Sequence, residues 1–170
     1  FDLAANRERE LLTPAQLLGG AEENLSAEEK ARRERQRQSL KGFTAYQMSR
    51  DGARLLVTLS GRLYLVERAT LKVTQLPGTG WIDPRFSPDG RLVAAAGADR
   101  ELHVIDAAAG TMRAVTSGAS ATLSHGTAEF VAQEEMSRSR GFWWSPDSAT
   151  LLVQQTDESG VEVRHIADPL

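Results

Sequence analysis

The chain has 170 residues, with 20 Lys and Arg against 23 Asp and Glu, for a formal charge of −3. That length suits about one domain, and the slight acidity argues against a general nucleic-acid binder, which needs a basic face to offset phosphate charge. Hydrophobic residues make up 41%, enough for a core. The absence of cysteine excludes disulfides, thiol nucleophiles and zinc–cysteine sites, and no apolar run approaches the ~18 residues of a membrane span.

The chain begins at Phe1 without an initiator Met and reads as a piece trimmed from a longer protein. Residues 1–41 are expected to form a helical lead-in appended to the core. Thr13-Pro14 before Ala15-Gln16-Leu17-Leu18, closed by Gly19-Gly20, predicts a short helix with proline at its first position. Ser26 with Glu29 three positions on matches a capping box, ahead of a run of strong helix formers from Ala27 to Leu40. A nucleic-acid arm is one reading of Arg32, Arg33, Arg35 and Arg37. The interleaved Glu28, Glu29 and Glu34 favour instead a solvated helix laced by ion pairs.

After Lys41 the pattern changes to strands and turns that recur. Ser49-Arg50-Asp51-Gly52, Ser87-Pro88-Asp89-Gly90 and Ser145-Pro146-Asp147-Ser148 each follow an aromatic or apolar residue and precede a β-rich run. Pro presets φ at the first central turn position, Asp bonds the backbone two residues on, and Gly supplies positive φ. Further strands follow each copy, such as the one carrying Leu63 and Leu65 and then Lys72-Val73-Thr74-Gln75-Leu76. Three or four short strands in about 40 residues is the cadence of a propeller blade. The expected fold is mainly β. It is an incomplete β-propeller of about three blade repeats over residues 42–170, with the helical lead-in and a short inserted helix.

The third copy arrives about 20 residues late for a blade of that length. The excess lies at about 125–141, where Ala128-Glu129-Phe130-Val131-Ala132-Gln133-Glu134-Glu135-Met136 predicts a short helix. An insertion in a regular repeat tends to emerge on one face, where binding happens. Trp143 and Trp144 read as blade core, and Arg138 and Arg140 as solvated charges past the helix.

Glu129-Phe130-Val131-Ala132-Gln133-Glu134-Glu135-Met136, with Arg138 and Gly141-Phe142-Trp143-Trp144-Ser145-Pro146-Asp147, closely resembles the dipeptidyl peptidase IV family, particularly its bacterial members. The resemblance covers most of the chain, including the helix that leads into the first blade. It implies an eight-bladed propeller covering a C-terminal α/β-hydrolase domain, and an enzyme that removes N-terminal dipeptides with Pro or Ala second. By motif position, the family's paired glutamates that grip the substrate α-amine are Glu134 and Glu135. At a fixed distance from the nucleophile they would act as a ruler, setting the product at two residues. The family also uses an arginine from an early blade hairpin. The hairpin here, Thr58-Leu59-Ser60-Gly61-Arg62, is short, and Arg62 is the only arginine near its tip.

The chain has no G-x-S-x-G nucleophile elbow; Gly118-Ala119-Ser120-Ala121-Thr122 fails at its last position. His103, His125 and His165 are scattered and read as ordinary surface or edge histidines. No catalytic residue, metal site or cofactor is therefore expected in this chain, and it is expected to be inactive alone, with the Ser-Asp-His triad in the missing hydrolase domain. The expected partners are peptides with a free N-terminus, that hydrolase domain and a second copy in a homodimer, with no nucleic acid and no membrane span. The bacterial resemblance implies a periplasmic or exported protein. The alternative is a non-catalytic propeller module that binds protein or peptide.

Overall fold

In the computed structural model, residues 3–25, 27–35, 37–162 and 164 are described. The lead-in forms α1 (Pro14–Leu18) and α2 (Ala27–Arg35). α1 starts at Pro14 and is closed by Gly19 as its sequence predicts, and a capping box at Thr13 secures its start. Thr13 Oγ1 accepts from the Gln16 N–H, Gln16 Oε1 accepts from the Thr13 N–H, and Gly19 closes the helix at φ +59°. The Ser26 half of the second capping box, and His165, lie outside the described residues.

α2 is shorter than the run of helix formers allows, because Arg37 at φ +53° turns the chain and the Gln38 N–H returns to the Arg33 carbonyl. Nor is this helix simply solvated. Arg33 lies buried between Glu29 (2.9 Å) and Glu23 (2.7 Å), and also donates to the Leu40 carbonyl. Burial alone would discharge Arg33, but the hydrogen bonds it donates to Glu23 and Glu29 outweigh that and hold it above its ordinary pKa. The lead-in is likewise part of the core rather than an appendage. Leu12, Leu17 and Leu18, with Phe43 just past the lead-in, pack on Val57, Leu59, Tyr64 and Val66.

Two complete four-stranded antiparallel sheets follow. The first runs β1 (Tyr46–Met48), β2 (Arg54–Leu59), β3 (Arg62–Glu67), β4 (Val73–Gln75), each strand beside the next. The second repeats that order with β5 (Ile82–Phe86), β6 (Leu92–Ala96), β7 (Leu102–Asp106) and β8 (Thr111–Ala114). The third repeat is partial. It comprises β9 (Leu123–His125), α3 (Phe130–Glu134), β10 (Phe142–Trp144), β11 (Leu151–Val153) and β12 (Gln155–Asp157). This is the incomplete, mainly β propeller that the repeats predict.

Strand alternation buries each complete blade on both faces. From β2, Leu56 enters a cluster with Phe86, Val93 and Ile105 of the second blade, while Val57 and Leu59 face the lead-in. From β6 and β7, Ala94, Leu102 and Val104 turn the other way, against Phe142 and Trp144 of the third repeat. Each fully buried Leu or Val contributes about 1.5–3 kcal/mol of transfer free energy. Polar ties register the blades. The Phe86 N–H donates to Gln47 Oε1, and Trp144 Nε1 donates to the Arg85 carbonyl at 3.3 Å. Two histidines expected at the surface are buried instead. His103 sits 2.8 Å from Asp99 with its ring edge-on to Trp81, and His125 Nδ1 lies 3.0 Å from Glu101 Oε2. No helix among the described residues is long and apolar enough to cross a membrane.

Candidate functional site

β9 and β10 are two halves of one strand, and the insertion is an excursion out of it. β11 and β12 run continuously past both, with β11 pairing β10 and β12 pairing β9. Gln154 holds the break together. Its N–H donates to the Gly141 carbonyl and its carbonyl accepts from the Gly126 N–H. Thr127 and Arg140 bridge just beyond, so residues 127–140 leave and return through a narrow neck. A Cβ at Gly141 would lie 2.5 Å from backbone atoms of Gly126 and Thr127, so only glycine fits that approach. β9 is tied back to the second blade. The His125 N–H donates to the Arg100 carbonyl, and its ring faces the Glu101 carboxylate. Burial pushes the Glu101 carboxyl up. Hydrogen bonds from Thr116 and Ala119, with His125 nearby, outweigh burial and hold it below the ordinary range.

Within the excursion, Glu129 caps α3 by accepting from the Ala132 N–H, and Ala128 and Ala132 are its buried contacts. Glu134 closes the helix and Glu135 is its C-cap, so the pair stands together at the exposed end. Among the described residues, neither carboxylate has a hydrogen bond or an ion pair. Ser137 at φ +51° then turns the chain, and the Arg138 N–H bonds back to the Ala132 carbonyl. Arg138 is half-buried and makes three side-chain contacts, contrary to the solvated charge its position suggests.

Beside α3 lies a cavity of about 500 Å³, walled by α2, the start of the second blade and the insertion. Arg32, Arg35, Asp83, Arg100, Glu129 and Gln133 line it; Glu134, Glu135 and Arg62 do not. Arg35 Nε donates to Gln133 Oε1 at 2.9 Å, joining the lead-in to the insertion across 98 positions of sequence. Burial raises the Asp83 carboxyl above its ordinary pKa despite its ion pair with Arg85 at 2.6 Å. Arg62 is exposed at the tip of the β2–β3 hairpin, turned by Ser60 at φ +51° and Gly61 at φ +70°. No hydrogen bond or ion pair joins Arg62 to Glu134 or Glu135 among the described residues. In the sequence Arg35 reads as one more solvated charge in a mixed-charge helix; only the fold shows that it reaches α3. Among the described residues there is no group of three or more metal-ligating side chains able to hold an ion.

Residues 49–170 match the family described as the dipeptidyl peptidase IV (DPP IV) N-terminal region. Dipeptidyl peptidase 8 of Homo sapiens is 39% identical over 56 residues, covering 28% of this chain and 6% of that protein. Its Mus musculus counterpart is 38% identical over the same length. The crystal structure of Porphyromonas gingivalis dipeptidyl peptidase 4 aligns with a TM-score of 0.60 and 26% identity, over 73% of this chain and 19% of that one. The chain thus spans a small part of the length of these relatives. The family match takes in all three serine–aspartate turns, both complete sheets from β2 onward and the inserted helix. Its strand order, its turns and the sequence across its insertion agree that this chain belongs to the dipeptidyl peptidase IV N-terminal region family.

Proposed function

We propose that this chain is the part of a dipeptidyl peptidase that holds the substrate's free α-amine, with Glu134 and Glu135 as its ligands. The observation that carries this reading is a pair of adjacent, exposed carboxylates without partners, presented at the end of a helix whose base is tied into the propeller. A protonated amine offers three donors and one positive charge, and two carboxylates supply the acceptors and the opposite charge. An acylated N-terminus has neither the charge nor the donors, so the site selects chain ends.

The nucleophile would come from a C-terminal α/β-hydrolase domain, and the fixed distance to the glutamates would set the product at a dipeptide with Pro or Ala second. The bacterial relative supports export as the setting. Arg35, whose contact with Gln133 places it against α3, is a better candidate than Arg62 for the arginine that meets the substrate backbone.

The test is hydrolysis of Ala-Pro-p-nitroanilide and its N-acetyl form by the full-length protein. The free-amine substrate alone should be cleaved. Glu134→Gln or Glu135→Gln should weaken transition-state binding by about 2–5 kcal/mol, mostly through KM. Equal cleavage of the acetylated substrate, or unchanged kinetics in both variants, would sink the reading. Arg35→Ala should raise KM and Arg62→Ala should not; the reverse result returns the role to Arg62.

A further inference from the structure

Resting on the reading of Glu134 and Glu135 as amine ligands, we infer that Arg138 is their positioning residue, a bracket that sets the angle of α3 against the propeller. The helix cannot orient itself. It has five residues, fewer than an isolated helix needs to persist, and only Ala132 is buried. Its carboxylate pair sits at the far end and, among the described residues, has no hydrogen bond or ion pair to steady it.

The Arg138 guanidinium joins the parts that would have to move for the helix to tilt. Nη1 donates to the Arg140 carbonyl at the neck (2.7 Å) and to Gln154 Oε1 (2.7 Å), and Nη2 faces Glu129 Oε1 (3.4 Å). Glu129 is the N-cap of α3, and the Gln154 backbone clasps both sides of the strand break. One planar side chain therefore couples the start of the helix, the neck and the strand that crosses it. A planar fork of fixed geometry holds three acceptors spread across it in set directions, which the compact, freely rotating ammonium of a lysine does not.

The lever arm makes this matter. At 1.5 Å per residue the carboxylates stand about 9 Å from the cap, so a tilt of about 10° would displace them by about 1.5 Å. A misplacement of that size costs on the order of 100-fold in rate.

The experiment compares Ala-Pro-p-nitroanilide with propionyl-Pro-p-nitroanilide, nearly the same shape without the amine, in the full-length enzyme. Arg138→Ala is expected to lower kcat/KM for the amine substrate about 10- to 100-fold, mainly through KM, and to leave the much slower cleavage of the amine-free substrate, which carries no blocking acetyl group, at the parent's rate. Arg138→Lys should fall between the two. Equal losses on both substrates, or no loss on either, overturn the assignment. A Glu134→Gln/Glu135→Gln variant separates the two ideas. If it keeps the preference for the amine, the amine reading falls and takes Arg138 with it. If it erases the preference while Arg138→Ala does not, only the bracket falls. Should Arg138→Ala not melt cooperatively, Gln154→Leu removes the acceptor at the other end and is judged by the same substrate ratio.

Discussion

Ser49, Ser87 and Ser145 each tie a turn at two places. Each hydroxyl donates to the aspartate two positions on, and accepts from the backbone N–H five positions on, at Arg54, Leu92 and Thr150. The aspartate in turn accepts from the N–H of Ala53, Arg91 or Ala149. The proline, aspartate and glycine roles were legible in the sequence. The serine role was not, because its second bond forms only once the chain has folded back. The Asp51, Asp89 and Asp147 carboxyls are held below the ordinary range, first by the serine hydroxyl and then by that backbone N–H. Depressed folded pKa values mean that this stabilisation is complete above the unfolded value of about 3.9 and is lost as pH falls through the folded ones. Replacing all three by Asn keeps an acceptor oxygen and removes the titration. The variant's Tm should fall less steeply than the parent's as pH drops below about 4; parallel curves would discount the turns as a source of acid sensitivity.

The elements divide by how local their causes are. The complete blades were readable because turn chemistry and period-two alternation act within a few residues. The inserted helix was readable too, from composition and the broken repeat. The split strand was not: β9 and β10 are three residues each, and only the strand crossing them reveals that they are one. The neck offers a direct test of that geometry. Gly141→Ala forces a Cβ against backbone that has nowhere to go, so it should destabilise by about 1–3 kcal/mol. Gly160→Ala, which meets nothing within 4 Å, serves as the control. Denaturant midpoints that move equally for both would mean that the neck is looser than described.

At the scale of the whole molecule, the lead-in is the part least visible in the sequence. Its Leu and Phe contacts, the buried Arg33 and the Arg35–Gln133 bond all depend on partners brought up by the fold. Mixed charge at helical spacing looks the same whether the helix faces water or an interior wall. Arg33→Met leaves Glu23 buried without its partner, and should lower unfolding free energy by about 3–5 kcal/mol. Adding Glu23→Leu should recover part of that loss. Urea unfolding of the single and double variants measures both; a single variant as stable as the parent would place α2 back in solvent. Because α2 also walls the cavity beside α3, the same substitution should weaken the join between the lead-in and the insertion.

The interrupted strand has an evolutionary corollary. Since the excursion departs and rejoins at adjacent points of a single strand, lengthening it leaves the hydrogen-bond ladder on either side in register. Closing a flexible loop of twice the length costs only about 0.6 kcal/mol more. The scaffold can therefore accept inserted segments of different reach as cassettes, and a lineage can vary what stands at this point without refolding a single blade.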